Sequence, residues 1–130
     1  MAVKYVLVER GNPQIPQEDQ EKKWYAQAKA NGELTFRKLG KEIAEGSTTV
    51  SDTDVMAVLN DLVKILKRHL DNGEIVRFGD FGSFQVTLGS KGAEKPEQFN
   101  ASLIKSKKVT FRPGIDLKEM LNNLKFEKTK

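Results

Sequence analysis

The chain has 130 residues, 38% apolar and 31% charged, with a net charge of +4; it has no cysteine and one histidine. That supports one domain with a modest core, often completed by dimerisation in so polar a chain, and it excludes a disulfide framework, thiolate chemistry and a Cys/His zinc cluster. No apolar run approaches the roughly 20 residues of a bilayer span and Met1 to Arg10 is not a secretory signal, so a soluble cytoplasmic protein is expected.

Residues 2–9 alternate Val3, Tyr5 and Leu7 against Lys4, Val6 and Val8, which predicts a strand. Gly11 to Pro16 breaks it, and Gln17 to Lys23 reads as a polar linker. Lys23 to Ala30 alternates again and ends at Asn31-Gly32, a strong turn signal. Its alanines would allow helix, but a strand fits the ending better. Residues 1–34 are thus expected to form an extension, with strands packed on a main domain of residues 35–130. Its Tyr5, Trp24 and Tyr25 either pack on the sheet or offer a protein-contact surface.

Thr35 is placed to cap a helix over 36–45, with Phe36, Leu39, Gly40 and Ile43 on one stripe. Gly46 ends it. Ser51-Asp52-Thr53-Asp54 resembles a capping box and opens a longer helix to Leu70. Val55, Val58, Leu59, Leu62, Val63, Leu66 and Leu70 step along it by three and four, and Met56 and Ile65 widen the stripe. One short chain cannot cover so wide a face, and a dimer mate is the natural supplier of the rest.

Asn72-Gly73 closes that helix. Ile75 to Leu88 then gives two strands about a Gly79-Asp80-Phe81-Gly82 turn. Phe81 and Phe84, three apart, would point to opposite faces of an extended chain. Residues 89–102 are polar. Leu103 to Phe111 resumes as a strand with Val109 and Phe111 inward, and a helix over 114–124 carries Leu117, Leu121 and Leu124.

This order, with its Gly-Phe-Gly turn and Phe111-Arg112-Pro113-Gly114, resembles the HU/integration host factor family of histone-like bacterial DNA-binding proteins. The resemblance covers about Thr35 to Lys125. It implies an α+β fold of two N-terminal helices, an antiparallel sheet with a basic hairpin arm and a C-terminal helix. The strand pair before Thr35 is an addition that ordinary members lack. Phe81 and Phe84 match core aromatics.

The basic excess fits the implied arm. Residues 66–130 carry 13 Lys and Arg against 8 Asp and Glu, whereas residues 1–65 carry 9 against 10. Lys91, Lys95, Lys105, Lys107, Lys108 and Arg112 are the candidate phosphate contacts. In the resembled family such arms enter the minor groove, and a proline at the tip wedges between base steps. Here the tip triplet Arg-Asn-Pro is absent. Pro96 is the nearest candidate for intercalation, but Glu94 and Glu97 flank it and Pro96-Glu97-Gln98 also reads as a helix start. After Gly114 the family offers a lysine where this chain has Ile115; only Lys118 remains.

No nucleophile–base pair is legible, and Gly79-Asp80-Phe81-Gly82 lacks the Lys-Ser/Thr of a phosphate loop. His69, near a helix C-terminus, has a mild dipole role. The expected function is non-catalytic, largely sequence-independent binding of double-stranded DNA by a homodimer in the nucleoid. No cofactor, metal, membrane or small-molecule substrate is expected. The alternative is a protein-interaction module that keeps this fold with weakened DNA binding, favoured by the acidic flanks of Pro96 and the missing lysine.

Overall fold

The computed structural model describes residues 1–11, 21–46 and 49–129. Most of the predicted break and linker before Lys23 lies outside them. The elements are β1 (Val3–Arg10), β2 (Lys23–Lys29), α1 (Phe36–Gly46), α2 (Asp52–Asp71), β3 (Val76–Phe78), β4 (Gly82–Ser90), β5 (Ile104–Pro113), α3 (Ile115–Asn122) and β6 (Phe126–Lys128). They divide into two compact units, residues 1–34 with 122–130, and residues 35–121.

The first unit is a three-stranded sheet in the order β2-β1-β6. β1 and β2 run antiparallel, from Lys4 opposite Lys29 to Arg10 opposite Lys23. β6 pairs in parallel with β1, Val3 opposite Phe126. The Val3 amide donates to Lys125 O at 2.8 Å, and the Thr129 amide to Tyr5 O at 2.9 Å. β6 thus groups with residues 1–34 and not with residues 35–121. Phe126–Lys128 completes the N-terminal sheet, because the free edge of β1 has backbone groups to satisfy.

The second unit opens on two capped helices. Thr35 Oγ1 accepts from the Lys38 amide at 3.3 Å and starts α1. Ser51 Oγ accepts from the Asp54 amide at 3.1 Å and starts α2; such a cap contributes about 1 kcal/mol. Asp52 and Asp54 in the first turn of α2, and Arg68 and His69 in the last, complement the helix dipole. At the end of α2 the His69 ring nitrogen Nδ1 meets Glu74 Oε2 at 2.5 Å. Gly40 is buried against Met56, whose Cγ would lie 3.3 Å from an added Cβ, so the small residue lets α1 approach α2.

The sheet of this unit has the order β3-β4-β5, antiparallel throughout. Gly79, with φ of 55°, makes the turn between β3 and β4. The Phe81 amide closes it onto Phe78 O at 3.1 Å. Phe81 therefore lies in the turn, not in extended chain. Its ring packs on Phe111 at 5.8 Å between centroids, and Phe84 packs on Phe111 at 4.8 Å. The expectation that Phe81 and Phe84 point to opposite faces fails for this reason; both converge on one aromatic cluster. α3 starts on the same turn: the Gly114 amide donates to Phe81 O at 2.8 Å and the Asp116 amide to Asp80 O at 3.1 Å.

Val55, 6% exposed, is the only buried hydrophobic side chain among the described residues. Val63, Leu66, Leu70, Phe84, Val86 and Val109 line an open groove of about 530 Å³ between α2 and the sheet. Val109, expected inward, does face that side, yet it is 58% exposed because none of the described residues covers it.

Candidate nucleic-acid interface

The β4–β5 hairpin decides which way each candidate cation stands. Ser83 is opposite Arg112, Gln85 opposite Thr110 and Thr87 opposite Lys108. Side chains alternate along a strand, and directly opposed residues share a face. This face therefore holds Arg112 and Lys108 among hydroxyl and amide groups. Thr87 Oγ1 and Thr110 Oγ1 are 3.1 Å apart and join the two strands there. The other face holds Phe84 opposite Phe111, Val86 opposite Val109 and Leu88 opposite Lys107. It is the face that meets α2.

The seven candidate cations are all solvent-exposed, but they do not form one row. Lys108 and Arg112 share the polar face, whereas Lys107 falls on the apolar-face side beside exposed Leu88. Lys105 sits where the register shifts: Gly89 pairs with Ser106 and Ser90 with Ile104, so Lys105 is the extra residue of a bulge. Lys118 stands on the first turns of α3, its amide bonded to Gly114 O at 3.0 Å.

Lys91 and Lys95 belong to the distal loop. The Lys91 amide donates to Leu103 O at 2.8 Å and closes that loop at its base. Within it Pro96–Gln98 and Ala101–Leu103 form two short 3-10 turns. Pro96 occupies the first turn, with Lys95 as its extended cap and the Gln98 amide bonded to Lys95 O at 3.0 Å. Asn100 Oδ1 accepts from the Ser102 amide at 2.9 Å and caps the second turn. Glu94 and Glu97 are exposed on either side of Pro96.

Arg77 was absent from the sequence candidates. β3 places it opposite Ser83, which itself opposes Arg112. One row across the sheet thus reads Arg77, Ser83, Arg112 on the polar face. The signal was available in the alternation of Val76 and Phe78 about Arg77, although a three-residue strand gives that period little length to show itself.

Two glycines hold these groups in place by close approach. A Cβ on Gly82 would lie 2.5 Å from Phe111 Cζ and 2.6 Å from Arg112 O. A Cβ on Gly114 would strike the Asp80 carbonyl. The backbone beside Arg112 and the start of the helix bearing Lys118 are set by these contacts.

Among the described residues, Glu74 has a clearly shifted acidity. Its hydrogen bond to His69, and then the charge of that ring, hold the carboxyl below its ordinary value of 4.5. The pair is about half exposed, so it is a surface interaction at the helix end. Among the described residues no group of His, Cys, Asp or Glu is placed to hold a metal ion, and no helix is long and apolar enough to cross a membrane.

A mixed α+β chain with a helix pair, a hairpin sheet and a short following helix has the architecture of HU. Residues 1–128 match the family HU-HIG, described as an HU domain fused to wHTH, Ig, or glycine-rich motif, and the chain belongs to that family. Two solved structures share the fold. A proposed bacterial DNA binding protein from Bacteroides vulgatus ATCC 8482 matches with a TM-score of 0.64 and 15% identity over 98% of this chain and 48% of that one. The chain thus spans about half the length of that protein. The Anabaena HU protein, in a cocrystal with DNA, matches with a TM-score of 0.54 and 18% identity over 69% of this chain and 99% of that one. No curated protein matches the chain.

Proposed function

We propose that this chain is a non-catalytic, largely sequence-independent binder of double-stranded DNA, acting as a homodimer in the bacterial nucleoid. The observation that carries the reading is the division of the β3-β4-β5 sheet into two faces. One is apolar and meets α2. The other presents Arg77, Arg112 and Lys108 among Ser83, Gln85, Thr87 and Thr110. Lysine, arginine and hydroxyl groups are phosphate-contacting chemistry, which positions a protein on a duplex without reading bases. Lys91, Lys95, Lys105, Lys107 and Lys118 extend the contacts along the arm and onto α3. The Anabaena relative was crystallised with DNA, which supports the same reading.

The groove between α2 and the sheet supports the homodimer. Val63, Leu66, Leu70, Phe84, Val86 and Val109 line it, and a second copy offering the same apolar strip would cover them. Two hairpins in one dimer would then follow phosphates on both sides of a duplex. Pro96 is assigned to the loop fold and not to intercalation. It opens a 3-10 turn, and carboxylates on both sides of it are unfavourable in the negative potential of a groove.

The test is affinity for two duplexes of equal length and unrelated sequence, at low salt. Sequence-independent phosphate binding gives dissociation constants within a few fold of each other. A preference of about 10³-fold would mark specific recognition instead. No binding to either duplex would leave the protein-interaction module as the reading, with Glu94, Glu97 and Ile115 as its signature.

A further inference from the structure

The sheet of the first unit sorts its charges by face. In the β1–β2 register Lys4 opposes Lys29, Val6 opposes Gln27, Val8 opposes Tyr25 and Arg10 opposes Lys23. Opposed residues share a face and neighbours alternate. All four cations of the two strands therefore stand on one side. Arg10 Nη2 donates to Gln27 Oε1 at 3.4 Å, so the guanidinium lies along that side. Val3, Tyr5, Leu7, Ala26, Ala28 and Phe126 line the opposite side as an open apolar groove. Glu9, by its register with Trp24, and Lys128, opposite Tyr5 on β6, also fall on the apolar side. Glu127, opposite Lys4 on β6, is the acid on the cationic side.

Two of these cross-strand pairs join like charges, Lys4 with Lys29 and Arg10 with Lys23. Directly opposed like charges destabilise a sheet. Leu7 and Phe126 on the apolar side are themselves exposed, so burial there does not offset the repulsion. The two pairs stand six residues apart, about 20 Å at roughly 3.3 Å per residue. Between them lie Val6, Val8, Gln27 and Tyr25. A polyanion running across this side would relieve both repulsions at once. Duplex DNA presents one charge per about 1.7 Å of axis, so both ends meet phosphates whatever the sequence.

We propose that this side of the β2-β1-β6 sheet is a second DNA-backbone contact surface, separate from the β4–β5 hairpin. Lys23, Lys29, Lys4 and Arg10 neutralise phosphates, and the Tyr25 hydroxyl between them donates to a phosphate oxygen. Glu127 offsets part of the charge at the Lys4 end. The proposal rests on the DNA-binding reading given above and adds a surface to it.

The experiment measures log K for duplex DNA against log salt for the full chain and three variants. Lys23→Thr/Lys29→Thr removes one cation from each repelling pair and keeps strand-forming residues. Its slope should fall by about 1.8 for each protomer that engages DNA, from two contacts at about 0.9 each. Its melting temperature should equal or exceed that of the wild type, because two repulsions are gone. Lys23→Arg/Lys29→Arg should keep the wild-type slope. Lys105→Ala/Lys107→Ala/Lys108→Ala should flatten the slope by an independent, additive amount. If the hairpin variant flattens the slope and the threonine variant does not, this surface is overturned and the hairpin reading stands. If the wild type binds no DNA at low salt, both fall. A lower melting temperature in the threonine variant, or an equal loss of slope in the arginine variant, also overturns the proposal.

Discussion

Gly82→Ala is expected to destabilise the second unit through one methyl group. The added Cβ would stand 2.5 Å from Phe111 Cζ, 2.6 Å from Phe111 Cε1 and 2.6 Å from Arg112 O. The Phe111 ring could swing away only by leaving Phe84 and Phe81, whose centroids lie 4.8 and 5.8 Å off. The Arg112 carbonyl belongs to the neighbouring strand, with Gly82 opposite Pro113 and Ser83 opposite Arg112, so it moves only with the ladder. Overpacking of this kind costs about 1–3 kcal/mol. Restricting the unfolded chain returns roughly 0.4–1 kcal/mol. The balance is a loss of about 1–2 kcal/mol, or roughly 4–16 °C in Tm for a unit of this size. Thermal unfolding followed by circular dichroism measures it. Gly92→Ala is the control, because nothing lies within 4 Å of its Cβ and its φ is not positive. Equal melting of Gly82→Ala and wild type would refute the close-approach argument, and so would an equal drop in both variants.

Sedimentation at micromolar concentration should report twice 14.6 kDa, and Val109→Asp, on the uncovered groove, should shift the protein toward monomer; a wild-type monomer at high concentration would end the dimer reading. Pro96→Ala should leave DNA affinity and the circularisation of short duplexes near wild type; strong bending lost in this variant would assign Pro96 the wedge role. Because His69 lowers the pKa of Glu74, the stability this carboxylate contributes is present above its ordinary 4.5 and is lost as pH falls through the lowered value. The small difference in Tm between wild type and Glu74→Gln should therefore shrink below pH 4.5; a difference that grows in acid would contradict the assignment.

The helices were legible because their signals are local. Thr35 and Ser51 each cap within three residues, and the stripe on α2 repeats often enough to show its period. β6 was not legible, since three residues carry almost no period and its partner lies more than 120 residues away in sequence, at Val3. Phe81 was misplaced because extended-chain alternation does not hold through the turn at Gly79. The candidate cations were legible as a set, and Lys107, Lys108 and Arg112 follow the alternation of Val109 and Phe111. The bulge residue Lys105 breaks that alternation, so its side cannot be assigned without the register. Arg77 was missed because its place in a row with Arg112 depends on register across two strands.

The central claim is that the hairpin cations bind DNA through phosphates. Its most direct test is the salt dependence of duplex binding for the wild type and for Lys105→Ala/Lys107→Ala/Lys108→Ala. Each lysine on a phosphate contributes a slope of about −0.9. If Lys108 alone reaches a phosphate in each protomer of a dimer, the triple variant loses about 1.8 of slope; if all three do, it loses about 5.4. A loss within that range, with the melting temperature kept, is the predicted result. An unchanged slope, or a wild type that binds no duplex even at low salt, would contradict it.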